Sequence, residues 1–87
     1  MKAAEREAWL RSVVTRISGR SAQRTAVDAD LHEAVGLDSL GRLEVLAAIE
    51  DEFDFFFDDV DLINASTLAR MLDATERRLA ETTGADA

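Results

Sequence analysis

The sequence predicts an all-α fold: a small four-helix bundle of three main helices and one short one, with a long loop between the first two helices. Three observations point there. Apolar residues recur at three- and four-residue spacing in three separate stretches, there is no proline and only four glycines in 87 residues, and no stretch alternates as a strand would. The length allows one domain, residues 1–87 with a core of about 5–81. A chain this short buries only about 60–65% of the surface its unfolded form exposes, so its core must be thin.

The first helix is predicted over residues 3–18, where Trp9, Leu10, Val13, Val14 and Ile17 make one stripe and Gly19 is the stop. Residues 19–37 are polar and irregular, anchored by Val27, Leu31, Val35 and Leu37. Within them "DLHEAVG" reads as a short helical turn, capped by Asp30, with Glu33 in the capping-box position and Gly36 at its end. A connection this long in a small domain is either functional or firmly pinned.

The second main helix is predicted over 39–53. Asp38 is its N-cap, and Leu40, Leu43, Leu46, Ala47, Ile49 and Phe53 are its expected inner face. A turn and a short helix near 58–63 follow. Ser66 or Thr67 caps a last helix running to about residue 81, with Leu68, Met71, Leu72, Thr75 and Leu79 inward, and the tail "TTGADA" is expected to fray.

The charge is unevenly placed. The net −8 resides wholly in residues 38–61, which hold nine acids (Asp38, Glu44, Glu50, Asp51, Glu52, Asp54, Asp58, Asp59, Asp61) against one base, Arg42. Such a segment is either a solvated helix face or a docking surface for basic partners. It argues against nucleic acid as a partner. No apolar run approaches the roughly 20 residues of a membrane span. The charged N-terminus is no export signal, so a cytoplasmic monomer that does not enter a membrane is expected. With no cysteine, the chain has neither a disulfide nor a thiol of its own.

Ser39 opens the acidic segment as the first residue of its helix, beside free N–H groups that favour an anionic substituent. As a nucleophile it would need a base, and the single histidine, His32, lies in the irregular segment; nor is this a Gly-x-Ser-x-Gly elbow. Asp28 and Asp30 begin something like a calcium loop, but His32, Glu33 and Ser39 stand where a third oxygen ligand, a glycine and a glutamate are required, so no metal site is expected. The remaining reading makes Ser39 a handle modified by an outside enzyme, which needs no base within the chain.

On that reading "DADLHEAVGLDSLGRLEVLAAIEDEF" resembles the core of the acyl and peptidyl carrier protein family. The matching features are Asp28-x-Asp30-Leu31, Gly36-Leu37-Asp38-Ser39-Leu40, Glu44 and Glu50 to Phe53. The later "NASTLARML" is similar to the start of the family's last helix, and the resemblance covers roughly residues 8–80.

The resemblance implies a carrier without enzyme activity. Ser39, flanked by Asp38 and Leu40, would bear a 4′-phosphopantetheine arm installed from coenzyme A by a phosphopantetheinyl transferase with Mg²⁺, and the arm's thiol would hold an acyl group as a thioester. Partners would be that transferase and an acyltransferase, ketosynthase or adenylating enzyme with basic docking patches. These would meet Arg42, Glu44, Glu50, Asp51, Asp54, Phe55, Phe56, Asp58, Asp59 and Asp61.

Two features depart from the family's common pattern. One is the Gly41-Arg42 pair. The other is "FDFFFDD", where Phe53 and Phe57 are expected in the core, while Phe55 and Phe56 cannot both point inward. With no second domain or long linker in the sequence, a freestanding carrier serving discrete enzymes is expected, and these departures favour polyketide or related secondary-metabolite biosynthesis over primary fatty-acid synthesis. An aminoacyl or peptidyl carrier is the alternative, and a helical interaction module with an incidental Asp-Ser-Leu is the rival of a different class.

Overall fold

The computed structural model describes residues 1–86, with side chains described to residue 81. Five helices follow in order: α1 (Ala3–Ser18), α2 (Leu31–Val35), α3 (Ser39–Phe53), α4 (Asp59–Asn64) and α5 (Leu68–Asp86), with no strand among the described residues. The bundle packs α1 against α3 and α5, with α4 against α5. Leu10, Val13 and Val14 of α1, Val45, Leu46 and Ile49 of α3, and Leu68, Met71 and Ala74 of α5 form the centre of the core.

Local signals set the helix ends. Gly19 closes α1 in the left-handed region at φ 77°, its N–H donating to the Thr15 carbonyl at 2.9 Å. Three aspartates open helices in the same way: Asp30 Oδ1 accepts from the His32 and Glu33 amides, Asp38 Oδ1 from Gly41 at 2.7 Å, and Asp58 Oδ1 from Asp61 at 2.9 Å. Thr67 rather than Ser66 caps α5, its Oγ1 accepting from the Arg70 amide. That helix continues five residues past the expected end at 81, to Asp86, because no proline interrupts it and Gly84 alone is a weak breaker. The tail "TTGADA", expected to fray, is helical over 82–86, and Ala87 lies outside the described residues.

The long connection from 19 to 30 is pinned. Arg11 on α1 donates to the Ala22 and Thr25 carbonyls at 2.8 and 2.7 Å. Thr15 Oγ1 accepts from the Ala22 amide, and the Ala22 side chain is fully buried. At the other end the Val27 carbonyl accepts from Ala69 and the Leu31 amide donates to Ser66, tying the loop to the start of α5. Val27 therefore anchors through its backbone, while its side chain is exposed.

The predicted inner face of α3 requires correction. Leu46, Ile49 and the half-buried Phe53 do point inward, but Leu40, Leu43 and Ala47 are exposed, and Gly41 and Val45 take their place in the interior. Apolar residues occur on nearly every side of α3, so spacing alone does not fix its rotation. Gly41 does. A Cβ there would lie 2.9 Å from Leu37 Cδ1, 3.1 Å from Asp38 Oδ1 and 3.6 Å from Ile17 Cγ2, so only a glycine lets the chain pack so closely at this point. With Gly41, Val45 and Ile49 inward, Leu40, Leu43, Glu44, Ala47 and Asp51 share the opposite face.

Candidate functional site

Ser39 is exposed at the N-terminus of α3. Its position follows from two local devices: Gly36, at φ 71°, ends α2, and Asp38 caps the start of α3 two residues later. Between them Leu37 is buried and fixes the turn. An open cleft of about 100 Å³ lies beside the serine, with Asp30, His32, Asp38, Arg42 and Ser66 on its walls. The fold thus brings His32 and two aspartates near Ser39, yet neither His32 nor an aspartate makes a hydrogen bond to its hydroxyl among the described residues. Asp30 and Asp38 direct their Oδ1 atoms to backbone amides instead. The cleft contains no nucleophile–base pair.

Leu40 is 66% exposed next to the serine. Arg42, one turn on from Ser39, is half-buried, contrary to an ordinary exposed arginine, and its Nε is buried without an acceptor. Gly41, its companion in the sequence departure, is a packing residue and offers nothing to a partner.

The acids of the 38–61 segment divide into two sets. Glu44, Asp51, Asp54 and Asp59 are exposed. Glu50 is half-buried, and its Oε2 accepts from the Phe57 amide at 2.7 Å, which closes the turn after α3. Asp61 is 5% exposed and pairs with Arg77 of α5 at 2.8 Å, so it is withdrawn from the docking surface on which the sequence placed it. A carboxylate so deeply placed requires a partner, and Arg77 supplies it. Asp58 is exposed but works as the α4 cap. The Asp61 amide bonded to it, aided by the Arg78 and Arg77 charges, holds its carboxyl below the usual carboxylate range.

The phenylalanine run resolves by alternation. Trp9, Phe53, Phe55 and Phe57 form a row, with ring centroids 5.5, 6.5 and 4.9 Å apart in succession. Phe57 is buried, Phe53 and Phe55 are partly so, and Phe56 is 79% exposed. Arg78 of α5 donates to the Phe56 carbonyl at 2.8 Å and fixes that turn. Sequence reasoning missed Val60 and Ile63, which α4 exposes at 64% and 70%. The available signal was an apolar pair at three-residue spacing on a helix too short to bury both sides.

The fold and site define a small helical module that offers one serine at a helix mouth, with mixed acidic and apolar faces beyond it. Residues 8–75 match the family model described as the phosphopantetheine attachment site, and the chain belongs to that family. It is also similar to an acyl carrier protein of Cyanidium caldarium, 31% identical over 67 residues that cover 77% of this chain and 74% of the relative. The chain is therefore a carrier and not an enzyme, and its prosthetic group is 4′-phosphopantetheine. The residues present fit that group: an exposed hydroxyl at a helix N-terminus, an open cleft beside it, and an arginine on the cleft wall whose buried Nε lacks an acceptor. No metal-ligating cluster occurs among the described residues, and no described helix is long and apolar enough to cross a membrane.

Proposed function

We propose that Ser39 is the residue that bears 4′-phosphopantetheine and that the protein carries acyl groups, as thioesters on that arm, between partner enzymes. One observation carries this reading. Within the region matched to the family, Ser39 is the exposed first residue of α3, set beside an open cleft and held by a capping aspartate. The group supplies the thiol that a chain without cysteine lacks. Asp38 orders the helix mouth, and exposed Leu40 flanks the serine where a transferase must approach.

An acyl cargo is supported by the similarity to a relative named as an acyl carrier protein. Polyketide or related secondary-metabolite biosynthesis is the proposed setting, supported by the Arg42 and phenylalanine-run departures. Loading of an amino acid in place of an acyl group would instead indicate the aminoacyl or peptidyl alternative.

Docking is assigned to Glu44, Asp51, Asp54, Asp58 and Asp59, with Leu40, Leu43, Phe56, Val60 and Ile63 as the apolar part of the surface. Exposed acids steer basic patches into contact and add on-rate more than affinity. Screening acts over about 8 Å at physiological ionic strength, so raising salt should slow encounter with partner enzymes.

The test is to incubate the protein with coenzyme A, Mg²⁺ and a broad-specificity phosphopantetheinyl transferase, then measure intact mass. A gain of one phosphopantetheine in the wild type and none in Ser39→Ala is expected. An unmodified wild type, or a modified Ser39→Ala, would remove Ser39 from this role.

A further inference from the structure

The Arg42 side chain has a place in the fold but no partner in it. It leaves α3 one turn after Ser39, and residues three apart on a helix are neighbours on its surface. It turns to the cleft wall that Ser39 also lines. Its Nε–H is buried and donates to no acceptor, and no hydrogen bond or ion pair of its guanidinium occurs among the described residues. A buried donor left unsatisfied costs free energy, and more so on a charged group. The nearby acids do not relieve it. Asp30 and Asp38 share the cleft but point an oxygen each at backbone amides, and His32 and Ser66 complete the polar wall.

Neither carboxylate of the cleft accepts from the Arg42 guanidinium among the described residues. Esterification of Ser39 would bring a phosphodiester to that cleft. A guanidinium presents a planar fork of N–H donors suited to two phosphate oxygens. It would also offset the repulsion between the new anion and the two aspartates. Arg42 is the single base between residues 38 and 61, so the positive charge of this otherwise acidic stretch stands at the one place where the chain gains a negative group.

We propose that Arg42 is a phosphate clamp, a positioning residue that binds the phosphodiester formed on Ser39 and so fixes the direction in which the arm leaves α3. The inference rests on Ser39 being the attachment residue. Arg42 thereby leaves the partner surface to which the sequence assigned it and acts within its own chain.

The test compares the unmodified and phosphopantetheinylated wild-type protein, each verified by intact mass. The readouts are the Arg42 side-chain Nε–H resonance and the ³¹P resonance of the phosphodiester. On modification, the Nε–H should shift and its exchange with solvent should slow by about tenfold, as a new charge-assisted hydrogen bond requires. The ³¹P resonance of modified Arg42→Gln should differ from that of the modified wild type. Modification should raise the melting temperature of the wild type more than that of Arg42→Gln, whereas a merely structural arginine would lower both forms of the variant equally.

A full mass gain with an unchanged Nε–H, or with identical ³¹P resonances, overturns the clamp and leaves Ser39 in its role. Absence of the mass gain removes the Ser39 reading and the clamp together.

Discussion

Helices α1 and α3 bury similar residues and present opposite surfaces. Within α1 no large apolar side chain is exposed, since Leu10, Val13 and Val14 are buried and Trp9 and Ile17 pack against the core. On α3 and α4 the core is served equally well by Val45, Leu46 and Ile49, yet Leu40, Leu43, Val60 and Ile63 stand in solvent among the acids. A thin-cored domain could gain stability by burying such residues, and their exposure supports the docking face proposed above. One side of the molecule holds the fold, and the other leaves the acids and apolar side chains proposed for docking in solvent.

Substitution within one helix tests that division most strongly. Leu46→Ala should cost about 2–5 kcal/mol in denaturant unfolding, whereas Leu43→Ala should stay within about 0.5 kcal/mol. Leu43→Ala should instead slow transfer to a partner enzyme. Equal stability losses at the two positions would abolish the distinction between the faces of α3.

Gly41→Ala probes what set the rotation of that helix. The added methyl meets Leu37 Cδ1 at 2.9 Å and Asp38 Oδ1 at 3.1 Å, so the turn that presents Ser39 must shift. Overpacking of about 1–3 kcal/mol, partly offset by about 1 kcal/mol of helix propensity, should leave a net loss and slower modification of Ser39. A more stable variant that is modified at the wild-type rate would show that Gly41 does not set the register.

The acids supply a finer comparison. Glu50→Ala removes the acceptor of the Phe57 amide and should cost about 1 kcal/mol, while Glu44→Ala, at an exposed side chain that makes no hydrogen bond or ion pair among the described residues, should be neutral in stability and slow only partner encounter at low salt. If both behaved alike in unfolding, the Glu50 contact would carry no weight.

The smallest effect is expected from acid. The folded Asp58 carboxyl titrates below its ordinary value of 3.8, so its stabilisation of α4 is present above that pH and is lost as pH falls through the lowered folded value. Asp58→Asn keeps an N-cap acceptor but does not titrate there, so its stability should fall less steeply than the wild type's below about pH 4. Parallel acid limbs for the two proteins would exclude Asp58 as a contributor.

The sequence by itself determined the helical class, the 3–18 and 39–53 helices and the aspartate caps at 30 and 38. It also determined the place of Ser39 at a helix mouth. These depend on interactions within a few residues, where a capping oxygen, a stop glycine and a three-to-four spacing act on their own neighbours. Tertiary packing decided which acids face solvent, which side of α3 faces inward and where the Arg42 side chain lies. Asp59 and Asp61 look alike in sequence, and only Arg77, sixteen residues beyond Asp61, makes one of them structural. Leu43 and Val45 are equally apolar, and only the fit of Gly41 against Leu37 and Ile17 turns Val45 inward. Arg42 looked like surface charge until the cleft beside Ser39 showed its Nε buried and without an acceptor. Contacts between residues far apart in the chain set these outcomes, and no local pattern encodes them.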